Sequence, residues 1–233
     1  MKRKPTGAYR RPQHTRSVAA RFTWNDDDIE FVSEDAEEQP MTTCKPYPVA
    51  GVHGRRLEKI VQTYLEKNAA DEDRYLRFYE IQRTLPEAIT KAVLAVLPNG
   101  KRFSHQRRIP GRVLERAREA LLKQNYEGLN TFSELHDLVA RVLTPIRGIG
   151  ALTIYDTAHR LGAHLNRSPE HVYMHAGARV GAKALGLSGS AGKLSKGAFP
   201  EAFQRLRPEQ IEDCLCIYKA DLQEWAREQC RPN

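Results

Sequence analysis

Apolar residues recur every three or four positions along most of this chain, which is the spacing of a helix with one buried face. The pattern predicts helices over 55–67, 72–83 and 85–97, and a Pro-Asn-Gly turn at 98–100 ends the third. No stretch alternates convincingly between apolar and polar residues, as a half-buried strand would. The sequence therefore predicts an all-α fold.

Helix start signals extend this prediction through the second half of the chain. Proline at the first helical position favours helices over 110–123 and 208–225. A capping box, Thr-Phe-Ser-Glu at 131–134, begins a helix there. Ser168 is a suitable N-cap with proline directly after it, which predicts a further helix over 168–186.

The charge pattern separates the beginning of the chain from the rest. Residues 1–22 carry seven Lys/Arg and no acid, and residues 25–40 carry eight Asp/Glu and no base. Such blocks solvate rather than pack, so residues 1–45 are predicted to be a disordered tail. Residues 46–233 are predicted to form a helical domain. A division of that domain into two lobes is left open, at about 54–130 and 131–233.

Composition excludes several classes of protein. Hydrophobic residues make up 40% of the 233 residues, enough for a core, but no apolar run is long enough to span a membrane. The basic N-terminus lacks the apolar segment of a secretory signal. The cysteines show neither Cys-x-x-Cys spacing nor the spacing of zinc ligands. This predicts reduced thiols in a cytoplasmic protein without metal or cofactor. They are Cys44, Cys214, Cys216 and Cys230.

A formal charge of +8 favours an anionic partner, of which nucleic acid is the commonest. The stretch 101–108 is predicted to contact phosphate, although a solvated loop remains the alternative. Phe103 within it is a candidate to stack on or wedge a base step. The cations of this stretch are Lys101, Arg102, Arg107 and Arg108.

The segment 147–150, Arg-Gly-Ile-Gly, lies between two amphipathic helical segments. Its glycines permit positive φ and close approach, while Ile149 between them can plug the groove between the helices. The second helix would then offer its free N–H groups and positive dipole end to a phosphate. Arg147 and Thr153 are expected to add a charge and a hydroxyl to that contact. The alternative is an ordinary corner between two helices.

Residues 146–153, Ile-Arg-Gly-Ile-Gly-Ala-Leu-Thr, resemble the hairpin of the helix-hairpin-helix DNA glycosylases, the endonuclease III-like superfamily. The resemblance covers about 136–180, where Val-Tyr-Met-His at 172–175 and then Arg179 stand near the family's second motif. It implies a protein that binds double-stranded DNA at Gly148, Gly150 and their neighbours, with Arg179 as a further DNA contact. It also implies base flipping and cleavage of an N-glycosidic bond.

The chain departs from this family at the positions that carry the chemistry. Tyr173 stands where the family has its catalytic Asp, Leu152 stands where some members have a lysine, and their four-cysteine cluster is absent. A phenol cannot replace the carboxylate near neutral pH. Asp156 is therefore the first alternative carboxylate, facing a cleft near His175. Its other interpretation is a simple ion pair with Arg160, four residues later.

The helix predicted over 168–186 is rich in small residues, and Gly177 and Gly181 share one of its faces. These glycines indicate close helix packing or, alternatively, close approach of an extruded base. Glu170 is interpreted as a first-turn residue that complements the dipole of this helix. Three functions therefore stay open: a DNA glycosylase that uses Asp156 and His175, a non-catalytic helix-hairpin-helix DNA-binding protein, and a protein-interaction domain whose glycines only pack helices.

Overall fold

The computed structural model describes residues 52–188 and 192–229, and these residues are mostly helical. The all-α prediction is confirmed, with one short two-stranded sheet added. The tail predicted over 1–45 lies outside the described residues, as do Cys44 and Cys230. Cys214 and Cys216 are free thiols.

The helices follow the predicted apolar pattern closely up to Leu165. In chain order the elements are α1 (Val52–Tyr64), a π-helical turn (Leu65–Ala69), α2 (Ala70–Glu80), α3 (Leu85–Val93), α4 (Gly111–Leu122), α5 (Phe132–Leu143), α6 (Ala151–Leu165), β1 (Val172–Tyr173), α7 (Ala176–Ala184), β2 (Lys193–Leu194), α8 (Pro208–Ile217) and α9 (Lys219–Gln229). The predicted capping box forms: the Thr131 hydroxyl accepts from the Glu134 N–H, and the Glu134 carboxylate accepts from the Thr131 N–H.

The helix predicted over 168–186 is wrong in its first half. α7 begins only at Ala176, and Val172–Tyr173 pairs as a strand with Lys193–Leu194. Contrary to the prediction, Glu170 is not a first-turn residue of α7. Its carboxylate accepts a hydrogen bond at 2.9 Å from the N–H of Phe132, at the start of α5. Sheet pairing satisfies backbone groups of residues 172–173 that a longer helix would otherwise use, and the Glu170 carboxylate supports the start of α5 instead.

The segment predicted as one helix over 208–225 consists of two helices. α8 ends at Ile217, and the Tyr218 backbone leaves the helical region with φ −97° and ψ 22° before α9 begins. Tyr218 itself donates a hydrogen bond at 3.0 Å to the side chain of Asn68. This hydrogen bond connects the break between α8 and α9 to the π-helical turn after α1.

The buried apolar residues form two clusters. The first contains residues from α2 to α6 together with Tyr173, and the second contains residues from α1 and from Val172 to Trp225. The second cluster therefore joins the beginning and the end of the described chain. α6 carries nine buried residues and is the central element of the first cluster.

α7 packs on α8 without room for side chains at its glycines. A Cβ atom on Gly181 would lie 2.4 Å from the Leu215 carbonyl oxygen, and one on Gly177 would lie 2.4 Å from Cys216 Sγ. The packing interpretation of these glycines is therefore confirmed.

Candidate nucleic-acid interface

Residues 144–150 join α5 to α6 in a tight connection. The Ile149 N–H donates to the Ile146 carbonyl at 3.1 Å, and Gly148 has φ +97°, in the left-handed region that favours glycine. Ile146 is buried and Ile149 packs half-buried against the first core cluster. These two isoleucines fix the connection to the helices, while Arg147 and Gly148 stay exposed.

The N-terminus of α6 is open to solvent. Gly150 is its N-cap, and no side chain caps the helix there. A Cβ atom on Gly150 would meet no atom within 4 Å, and Ala151 and Leu152 behind it are exposed. The first N–H groups of a helix have no partner within the helix, so this end offers donors and a positive dipole to an anion.

The beginning of α4 packs against the connection 144–150, and α4 carries exposed arginines. The Val113 side chain is 3.6 Å from the position that a Cβ on Gly148 would take, which places the first turn of α4 against the connection. Arg112 and Arg116, one turn apart, are exposed and make no ion pair within the described part of the chain. Sequence reasoning missed both. Their position opposite the apolar face of an amphipathic helix was the available signal.

The other residues predicted to bind DNA differ in exposure. Thr153 is only 8% exposed, so its side chain belongs to the protein interior rather than to this surface. Arg179 is exposed on α7. Arg102 is half-buried and donates to the Ile109 carbonyl at 3.2 Å. The remaining cations of the stretch 101–108 are exposed: Lys101, Arg107 and Arg108.

Phe103 is not available to stack on a base. Its ring is buried in the first core cluster, and the Arg160 guanidinium carbon lies 4.3 Å from the ring centroid. The suggestion that Phe103 wedges a base step is therefore wrong. A cation–π contact inside the core accounts for this aromatic residue in a basic stretch.

Asp156 joins α6 to the stretch 101–108. Its Oδ2 atom accepts hydrogen bonds from His105 at 2.8 Å, from Gln106 at 3.0 Å and from Arg160 at 3.3 Å. Burial alone would raise the pKa of Asp156, but Arg160 and the hydrogen bond from His105 outweigh it and hold that pKa below its usual range. The expected ion pair with Arg160 forms, and Asp156 is a carboxylate at neutral pH.

His175 and Asp156 are not hydrogen-bonded to each other. His175 is the N-cap residue of α7, and its Nε2 atom is paired with the Glu212 carboxylate. Burial lowers the pKa of His175, but Glu212 outweighs burial and raises it. Tyr155 lies beside both, adjacent to Asp156 in the chain and 5.9 Å from His175 between ring centroids. The two candidate catalytic residues thus belong to separate polar pairs.

Tyr173 occupies a buried position beside the start of α5. Its hydroxyl lies 3.1 Å from Ser133 Oγ, and burial raises its pKa. The Lys193 ammonium is 6.0 Å from the Tyr173 ring. This phenol stays neutral at physiological pH, and it therefore supplies no negative charge where the resembled family has a carboxylate.

Sequence reasoning also missed a group of acids of which Glu72 and Glu212 are buried and Asp213 is half-buried. The Tyr64 hydroxyl donates at 2.9 Å to Glu72, and both residues are buried. Burial raises the pKa of Glu72 well above its usual range, and the charge of Asp213 acts in the same direction. Burial also raises the pKa of Asp213 to about 7, helped by the charge of Glu212. These acids sit on apolar helix faces, where periodicity predicts hydrophobic residues.

The pKa of Asp213 predicts how stability depends on pH. The folded protein holds this proton up to about pH 7, whereas the unfolded chain releases it near the ordinary value of 3.8. The stabilising contribution is therefore present below 3.8 and is lost as pH rises through 7. Asp213→Asn mimics the protonated acid. We expect the free energy of unfolding of this variant, relative to that of the wild type, to increase between about pH 5 and about pH 8. Urea denaturation measures both values. Parallel pH profiles would show that Asp213 titrates normally.

Comparison with known proteins gives no match: no family model, no curated protein and no solved structure corresponds to this chain. Within the described ranges, no helix is long and apolar enough to cross a membrane. The same residues contain no group of three or more His, Cys, Asp or Glu that could hold a metal ion. A function must therefore be inferred from the geometry of the surface around Gly150.

Proposed function

We propose that the protein binds double-stranded DNA through the phosphate backbone, with residues 147–150 and the start of α6 acting as the contact of a helix-hairpin-helix unit. The observation that carries this proposal is the uncapped, solvent-open start of α6 behind Gly150. An exposed helix N-terminus without a side-chain cap is suited to a phosphate oxygen. The missing Cβ at Gly150 allows the nucleic acid backbone to approach closely.

The surrounding charge supports the same proposal. Arg147 in the connection and Arg112 and Arg116 on the adjoining α4 are exposed and are not committed to ion pairs within the described residues. Each can neutralise a phosphate and release a counterion. Because every nucleotide carries the same phosphate, such contacts bind DNA without reading its sequence.

Binding assays with two duplexes of unrelated sequence test this function. We expect similar affinities for both, within about threefold, and a linear fall of log affinity with log salt concentration. Fluorescence anisotropy at several salt concentrations measures both quantities. Absence of binding at low salt would overturn the proposal, and so would a strong preference for one sequence.

Base excision is a second candidate function, and the ionised Asp156 on α6 favours it. A carboxylate beside a DNA-binding helix can stabilise the positive charge that develops on deoxyribose as a base departs. The test uses duplexes that carry damaged or modified bases, followed by alkali to cleave at abasic sites. Release of a base would support the enzyme. Tight binding without release from any duplex would leave the non-catalytic DNA-binding protein.

If bases are released, we expect Asp156→Asn to reduce the single-turnover rate by about 100-fold or more, because removing a charge-stabilising group costs about 3 kcal/mol. Asp137→Asn, an exposed acid on α5, is the matched control. The duplex affinity and the unfolding temperature are measured in parallel, because Asp156 also holds His105 and Gln106. Full activity in the Asp156 variant would remove this carboxylate from the reaction.

A further inference from the structure

A cavity of about 350 Å³ opens at the C-terminal end of α6, where that helix meets α2 and the start of α8. Glu209 and His159 line it together with Leu76 and Gly162, and Arg77 and Arg167 are among its charged residues. Its volume lies at the lower end of the range for small-molecule sites. It is separate from the proposed DNA contact, which lies at the opposite end of α6.

Glu209, which lines this cavity, has one carboxylate oxygen without a hydrogen-bond partner among the described residues. The residue is only 4% exposed, and its Oε1 atom accepts a hydrogen bond from Arg207. Its Oε2 atom is buried and has no hydrogen-bond partner among the described residues. A buried acceptor without a partner is costly, so this oxygen is suited to a ligand that donates a hydrogen bond.

His159 supplies a second polar group to the same wall. Burial lowers its pKa to about 4, so the imidazole is neutral at physiological pH. Its contacts within the described chain are with the rings of Phe132 and Tyr155. A neutral imidazole has one donor and one acceptor nitrogen, and either can form a hydrogen bond with a heterocycle.

Three arginines, Arg77, Arg167 and Arg207, line the cavity together with the acids Asp73, Glu80 and Glu209. Arg167 donates through Nε and Nη1 to the carbonyls of Leu129, Leu165 and Asn166, and its Nη2 atom makes no hydrogen bond to the described residues. Among the described residues, Arg77 is held only by an exposed pair with Glu80, three residues later. Exposed pairs of this kind are weak, so an anionic ligand group can redirect Arg77.

We propose that this cavity binds a nucleoside monophosphate whose base carries an exocyclic amino group. The amino group donates to Glu209 Oε2, a ring nitrogen of the base faces His159, and the phosphate contacts Arg167 and Arg77. A nucleotide joins a donor, an adjacent ring nitrogen and an anion in one small molecule. The proposal does not depend on DNA binding by the hairpin.

Nucleotide pairs that differ at the amino group test this site. We expect the full-length protein to bind at least one of GMP, AMP and CMP about tenfold more tightly than its counterpart without the amino group, because a lost hydrogen bond leaves Glu209 unpaired. The counterparts are IMP for the purines and UMP for CMP. Isothermal titration calorimetry measures the affinities. Absence of binding by all five, or equal affinity within every pair, would overturn the proposal.

Variants separate the two ends of the ligand. Glu209→Gln keeps the side-chain shape but presents a donor, so the preference for the amino nucleotide is expected to disappear or reverse. Glu201→Gln, an exposed acid outside the cavity, is the control and keeps the preference. Arg167→Gln removes one of the two phosphate contacts, so it is expected to weaken binding of the nucleotide while leaving binding of its nucleoside unchanged. An unchanged amino preference in the Glu209 variant would overturn the assignment.

The same chemistry can come from a free nucleotide or from a nucleotide within a strand. Competition between the bound nucleotide and a short single-stranded DNA distinguishes these sources. If the single-stranded DNA displaces the bound nucleotide from the wild type but not from Glu209→Gln, the site binds nucleotides within a strand. If the nucleotide stays bound in the presence of the strand, the site binds free nucleotides. Either conclusion requires that the preference for the amino nucleotide has first been measured.

Discussion

Gly181→Ala is expected to destabilise the protein by about 3 kcal/mol, at the upper end of the cost of overpacking a core. The added Cβ would lie 2.4 Å from the Leu215 carbonyl oxygen and 3.0 Å from its Cα, so the backbone of α8 must move away from α7. In an open helix the same change would stabilise by about 1 kcal/mol. For a chain of this size the loss corresponds to about 6–12 °C in unfolding temperature.

Gly177→Ala is the matched comparison on the same helix face. Its Cβ would meet Cys216 Sγ, the end of a side chain that can rotate, with the Cys216 Cβ farther away at 3.4 Å. We expect a smaller loss than at Gly181, and Cys216→Ala is expected to relieve most of it. Thermal unfolding measures all three variants. Equal stability of Gly181→Ala and the wild type would mean that the two helices are not packed as closely as the structure shows.

Local sequence signals were sufficient where a helix depends on its own residues. Apolar periodicity predicts the helices before residue 165, and the reciprocal hydrogen bonds between Thr131 and Glu134 form as the capping box predicts. The connection at 146–150 is likewise local: glycine at 148 provides the positive φ, and the isoleucines pack inward.

Signals failed where a residue is satisfied by a distant partner. Ser168 and its proline look like a helix start, yet Glu170 contacts α5 and residues 172–173 pair with 193–194. The pairing of His175 with Glu212 joins residues 37 positions apart. A single sequence contains no information on which distant residues meet, so local propensity gave the wrong structure here.

The same limitation applies to the candidate site. The choice of Asp156 as an ionised carboxylate on α6 agrees with its environment, but its hydrogen bonds to His105 and Gln106 depend on residues about 50 positions earlier. These bonds connect the basic stretch 101–108 to α6, the helix that follows Gly150. Asp156 therefore contributes to the shape of the proposed DNA surface whether or not it takes part in chemistry.

Gly150→Asp is expected to weaken duplex binding by about 100-fold while leaving the protein as stable as the wild type. Asp is a preferred N-cap residue, and its carboxylate can accept from the first N–H groups of α6 and favour the positive end of the helix. The backbone at Gly150 has φ −102°, and a Cβ there meets no atom within 4 Å, so folding is not impaired. The side chain takes the donors that a phosphate would use and repels it, at a cost of about 3 kcal/mol.

Two variants separate charge from position in this experiment. Gly150→Asn caps the helix without adding charge, so its loss of affinity is expected to be smaller than that of Gly150→Asp. Gln223→Asp adds the same charge at an exposed site on α9 and is expected to change affinity by less than about threefold, because screening weakens distant charges. Anisotropy titrations and thermal unfolding measure both properties. A stable Gly150→Asp protein with wild-type affinity for duplex DNA would show that the phosphate contact lies elsewhere, with the stretch 101–108 next to be tested.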